Sequence, residues 1–153
     1  MSETAVRLDV SNRLRHAPVR PILAEVWLGA ERPGAERGPA ALHAGLACSS
    51  RVLGPVVIAD NAPRDAGERL HRRDLGFLPE IVASSEAIAA AVGEAIRAGE
   101  SALMLGGDLA VAFGSLAGAA ADCERLGVLW IDAHADLNTP ETSPTGHLHG
   151  MPL

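Results

Sequence analysis

A chain of 153 residues, 48% hydrophobic and 21% charged, has the length of one domain and enough apolar content for a core, which excludes disorder throughout. A formal net charge of -6 excludes a general nucleic-acid binder, which needs a basic face to neutralise phosphates. No apolar run reaches the roughly 18 to 20 residues that span a bilayer, Cys48 and Cys123 have no CxxC spacing, and the opening MSETAVRLDV lacks a signal region, so a soluble protein of the reducing cytoplasm, with no membrane partner, is expected.

Residues 1–20 carry several arginines, a proline and no clean periodicity, and read as a leader, loosely ordered or laid on a surface. The body of the domain then runs from 21 to 153. PILAEVWLG, from Pro21, is a short apolar run ending in glycine, as in a buried strand. AERPGAERGP is loop chemistry, and Pro39 suits the first turn of a helix over PAALHAGLA. GPVVIAD, from Gly54, predicts a second strand, and the proline- and charge-rich stretch from Asn61 to Glu80 an exposed excursion. From Ser84 to Ala98 the apolar Ile88, Val92 and Ile96 recur every four residues, with serine before and Gly99 after, which predicts a capped helix. SALML is a third strand, AVAFGSLAGAAAD a helix of small residues, and GVLWI a fourth strand. This alternation predicts an α/β protein with a parallel sheet covered by helices, whose ligands bind at the carboxyl ends of the strands.

Two candidate sites fall at such ends. After GVLWI, Asp132, His134 and Asp136 alternate, which in an extended segment points all three to one side. A straight strand would spread them over roughly 13 Å, so a compact centre requires the chain to curl, as the following LNTP allows. Mixed carboxylate and imidazole donors suit Mn²⁺ or Zn²⁺, while the lack of a nearby cysteine argues against structural zinc. SPTGHLHG adds His147 and His149, each a ligand, a proton shuttle or a surface imidazole. After SALML, GGDLAVAFGS lacks the GxxxxGK[ST] pattern and any lysine, so Asp108 reads as a helix cap or loop brace rather than part of a phosphate loop.

WIDAHADLNTPETSPTGHLHGMPL resembles the signature of the arginase family of ureohydrolases, Asp-Ala-His-x-Asp-x-Asn followed by Ser/Thr-Gly-Asn-x-His-Gly. LMLGGDLAVAFGS resembles the family's Gly-Gly-Asp-His segment, and GAERPGAERGPAALHAGL its early loop and helix. The wording is closer to arginase than to agmatinase. The resemblance implies a three-layer α/β/α fold and two Mn²⁺ ions about 3.5 to 4 Å apart, whose bridging hydroxide attacks the guanidinium carbon of L-arginine to give ornithine and urea. It implies that Asp132 bridges the metals, that His134 binds one and Asp136 the other, and that Asp136 and His149 serve the reaction, His149 near the leaving amine. Asn138 and Thr145 are implied to hold the α-carboxylate end of the small guanidino substrate, together with His147.

Two departures accompany it. Leu109 stands where the family has a metal-binding histidine, and His147 where it has asparagine. The family's second Asp-x-Asp pair and its guanidinium-recognising glutamate have no counterpart here, which leaves three of six metal ligands and, at most, one weakly held Mn²⁺. The family strand order 2-1-3-8-7-4-5-6 puts two strands that this chain lacks between SALML and GVLWI. The expectation is therefore the amino-terminal half of an arginase-like domain, incomplete in this chain. Alone it is inactive, and it associates with itself or with a complementary half. The alternative is an inactive arginase-like chain that binds a partner.

Overall fold

The computed structural model describes residues 16–46, 51–70 and 75–153. Most of the expected leader, and Cys48, lie outside them. The framework is a parallel sheet of three strands, β1 (Val19–Ala24), β2 (Val56–Ile58) and β3 (Ser101–Gly106), in the order β2-β1-β3. This reproduces the 2-1-3 start of the order that the resemblance implies. The central β1 aligns Ile22 with Val56 on one side and with Met104 on the other. Burial on both of its faces explains why Pro-Ile-Leu-Ala is a continuous apolar run rather than an alternating one. Pro21 is tolerated in this central strand by its position. Val19 gives its N–H to Arg51 O and accepts that of Leu53, so alternation turns Pro21 to the same edge, where pairing lapses between the Val19–Val52 bridge and the Ile22–Val56 pair.

Strand limits differ from those read in the sequence. β1 begins at Val19, inside the span read as a leader, and ends at Ala24, so Glu25 to Gly29 form a loop rather than more strand. A 3-10 turn, Ala35–Arg37, leads into helix α1 (Gly38–Leu46), with Pro39 in its first turn as expected; α1 packs along β1 and β3. The stretch from Asn61 to Glu80 is not simply exposed. It contains the short helix α2 (Ala66–Arg69), and Phe77 is buried against Trp27, ring centroids 6.5 Å apart, beneath the Arg69 guanidinium at 4.6 Å.

Helix α3 (Leu78–Arg97) starts six residues before the expected serine, with Pro79 in its first turn. Ser84 is an interior, buried residue whose hydroxyl lies 3.1 Å from both Glu80 O and Asn61 Oδ1, so the cap reading of this serine is corrected. The helix ends as its sequence predicts. Gly99, at φ +77, gives its N–H to Ile96 O while Glu100 gives its own to Ala95 O, which satisfies two carbonyls of the last turn. Ile88, Ala91 and Val92 pack on Ile22, Ala24 and Val26. Helix α4 (Val111–Ala120) then lies close along α3, since a Cβ at Gly114 or Gly118 would meet Ser85 O or Ala89 O at 2.5 Å.

GVLWI is not a strand. Residues 127–131 have no regular structure, and Leu129 and Ile131 are 86% and 87% exposed. The physical reason is the absence of a partner: a strand is stabilised by its ladder, and among the described residues β3 pairs only with β1. Of the two outcomes open to this segment, pairing with β3 or standing apart, it stands apart.

Candidate functional site

The carboxyl ends of β1 and β3 meet the last twenty residues of the chain over a small apolar base. Trp27, Leu28, Phe77, Ala110, Leu148 and Met151 form one cluster, so two apolar side chains of the tail anchor it to the loop after β1. The His149 N–H donates to Gly29 O at 3.2 Å and completes the attachment. Asp108 braces the same corner: Oδ2 accepts the Ala30 N–H at 3.0 Å and Oδ1 the Ala110 N–H at 2.8 Å. It joins the loops after β1 and β3, and the N-cap residue of α4 is Ala110. Leu109 sits beside this brace, and its side chain supplies no lone pair.

Above this base is a cavity of about 380 Å³ whose lining includes His134, Asp136, Asn138, Thr145, His147 and His149. Six residues singled out from sequence therefore share one cleft. Local hydrogen bonds shape it. The Asn138 N–H donates to Gly150 O at 3.1 Å and the Leu153 N–H to Asp136 O at 3.3 Å, which ties the two stretches of the segment side by side. The Thr145 hydroxyl accepts the His147 N–H at 3.2 Å, and the Ser143 hydroxyl that of Gly146 at 3.0 Å, where φ of +77 turns the chain. The His147 and His149 ring centroids are 5.8 Å apart.

The three expected metal ligands are not gathered. Asp132 lies outside the cleft lining and accepts the His134 N–H at 2.8 Å, which with the nearby imidazole holds its carboxyl below the usual range. His134 is 81% exposed at its side chain, with Nδ1 3.3 Å from Asp132 Oδ1. Asp136 is 8% exposed, left-handed at φ +54, and its Oδ2 accepts the Trp130 indole N–H at 3.1 Å. The chain curls here as LNTP allows, but the curl turns Asp136 inward while His134 points to solvent, so the alternation does not produce one ligating side. Among the described residues no three His, Cys, Asp or Glu side chains converge on a point where a metal ion would fit, and no buried polar side-chain atom is left without a partner. The donor chemistry suits manganese, but this arrangement does not form its cradle. The cleft offers imidazole, amide and hydroxyl groups to a small polar molecule.

Sequence reasoning did not find Glu31, Trp130 or Asn61. Glu31 read as one charge in a charged loop, Trp130 as strand core, and Asn61 as part of an exposed stretch; no spacing in the sequence links any of them to its partner.

The family model for the arginase family matches residues 24–153. The chain belongs to the arginase family. Arginase from Bacillus caldovelox is 41% identical over 141 residues, covering 89% of this chain and 47% of that protein, and human mitochondrial arginase-2 is 34% identical over 135 residues, covering 82% and 36%. The native structure of the Bacillus caldovelox arginase superposes with a TM-score of 0.71 at 37% identity, over 90% of this chain and 48% of that one. The Entamoeba histolytica arginase structure, in complex with L-ornithine, gives 0.72 at 26% identity, over 88% and 46%. This arginase-family chain thus has the family's parallel sheet with helices, and it spans about half the length of these solved relatives. No helix among the described residues is long and apolar enough to cross a membrane.

Proposed function

We propose that this chain carries the amino-terminal wall of an arginase-type hydrolase site, for the manganese-dependent conversion of L-arginine to ornithine and urea, and that the 153 residues alone do not perform the reaction. The cleft supports this reading. It brings Asn138, Thr145 and His147, the proposed contacts of an amino acid's α-carboxylate end, to one wall with His149, the proposed imidazole near the leaving amine, and Asp136. Asp132, His134 and Asp136 are the metal donors that this segment contributes, and their separation in the structure is why no catalytic step is assigned to them here. The reading places the protein in the cytoplasm, in keeping with the exposed thiol of Cys123, and includes association with a second copy or a complementary half.

Calorimetric titration with Mn²⁺ tests the metal assignment. We expect at most one weakly held ion, lost when Asp136 is replaced by Asn; two ions bound below about 1 μM, roughly -8 kcal/mol each, would overturn it. A second reading rests on Leu109: an arginase-like chain without catalysis that binds a partner. Two Mn²⁺ per chain after a carboxyl-terminal half is supplied would favour the hydrolase, and an empty complex the partner-binding reading.

A further inference from the structure

One edge of the sheet carries no strand among the described residues. β3 pairs with β1 alone, and its residues are only partly buried, whereas Pro21 to Ala24 of β1 are buried. The ladder fixes which groups face outward. The Ser101 N–H donates to Pro18 O at 2.8 Å and Ser101 stands opposite Val19, so by strand alternation Ser101, Leu103 and Leu105 turn their N–H and C=O groups to β1. Ala102, Met104 and Gly106 turn theirs to the open edge. Nothing blunts that edge, since Ser-Ala-Leu-Met-Leu-Gly contains neither charge nor proline.

A segment suited to this edge stands in the same chain. Residues 127–131 make no backbone hydrogen bond among the described residues, carry no charge, and are rich in the β-branched and aromatic types that strands favour. Leu129 and Ile131 there are exposed. We propose that residues 127–131 of one copy add as a strand to the β3 edge of a second copy. Within one chain the edge and the segment stand apart. Between two copies each supplies what the other lacks, and every copy carries both, which is what favours a second copy over an unrelated partner. The addition gives partners to the outward backbone groups of Ala102 and Met104 and takes apolar side chains out of water. Because edge and segment are different surfaces, two copies exchange segments mutually or pass them on in a row. The inference rests on the association included in the proposed function and names its contact. None of its observations concerns manganese or arginine, so the metal and urea tests succeed or fail apart from those below.

Residue-resolved amide hydrogen exchange on the full chain, over about a hundredfold range of concentration, tests the proposal. We expect exchange at Ala102 and Met104 to slow by about tenfold or more as concentration rises, together with amides within 127–131, while Leu103 and Leu105, already bonded to β1, change little. Fast exchange at Ala102 and Met104 at every concentration overturns the proposal. Protection there that does not depend on concentration also overturns it, because it places a segment of the same chain on the edge. Mixing variants separates strand addition from an unspecific apolar contact. Ala102→Pro removes an outward N–H and leaves 127–131 intact, whereas Leu129→Lys with Ile131→Lys disables the segment and leaves the edge intact. In sedimentation, each variant alone should associate about tenfold more weakly than the native chain. An equal mixture of the two should recover a complex, since the segment of the first meets the edge of the second. Native-strength association of the Ala102 variant, or no recovery in a mixture of two folded variants, overturns the proposal. If Ala102→Pro fails to fold, the exchange measurement on the native chain decides alone.

Discussion

Trp130 Nε1–H donates to Oδ2 of Asp136 at 3.1 Å, across a backbone that is left-handed at Asp136, φ +54. The indole holds one carboxylate oxygen inward, so a metal ion that recruits Asp136 through Oδ2 competes with this bond. Trp130→Phe removes the donor and keeps most of the ring. We expect Mn²⁺ affinity to rise by roughly five- to tenfold, the equivalent of about 1 to 1.4 kcal/mol for one hydrogen bond. Calorimetry on both proteins checks this, and equal affinities would show that the bond is not what restrains Asp136.

Asp108 satisfies two backbone N–H groups in different loops, those of Ala30 and Ala110. Asp108→Ala leaves both without their acceptor and loosens the base on which the tail rests, with an expected loss of about 1 to 3 kcal/mol. Urea denaturation measures it. A loss under about 0.5 kcal/mol would mean that water replaces the brace.

Much of this framework was legible in the sequence, and the exceptions have physical causes. The three apolar runs at β1, β2 and β3, and the Gly99 stop of α3, are local signals that the chain obeys. GVLWI carries the same local signal and is not a strand, because pairing is a property of two segments and the second is missing among the described residues. Ser84 looked like a cap because the apolar period begins near it, yet Pro79 and the burial of Phe77 start the helix earlier. In the cleft, the spacing of Asp132, His134 and Asp136 identified donor types, while their direction is set by Trp130 and by the left-handed turn, neither of which a ligand pattern encodes.

Glu80 accepts from Arg69 Nη1 at 2.7 Å, and that hydrogen bond holds its carboxyl below the usual range. A carboxyl with a lowered pKa in the folded state contributes stability that is fully present above its unfolded value, about 4.3, and is lost as pH falls through the folded one. We expect Glu80→Gln to flatten the fall in stability below about pH 4.5 while changing little in its slope near pH 7. Thermal melts across that range check the sign; an unchanged acid limb would remove Glu80 from the linkage.

Leu129 and Ile131 expose large apolar side chains in a segment without a ladder, and the β3 edge of the sheet pairs only with β1 among the described residues. Such surfaces favour association between chains. Replacing both residues with lysine should lower self-association by about tenfold in sedimentation experiments and leave the melting temperature within a few degrees, since neither side chain is buried. An unchanged association constant would place the contact elsewhere.

The most direct test is urea release from L-arginine in the presence of Mn²⁺, comparing the 153-residue chain alone with the same chain joined to the carboxyl-terminal half of a bacterial arginase. We expect no release from the chain alone and measurable release from the joined protein, rising when Leu109→His restores a nitrogen donor. Urea production by the chain alone, as a cooperatively melting monomer, would contradict the assignment of a single wall of the site to these residues.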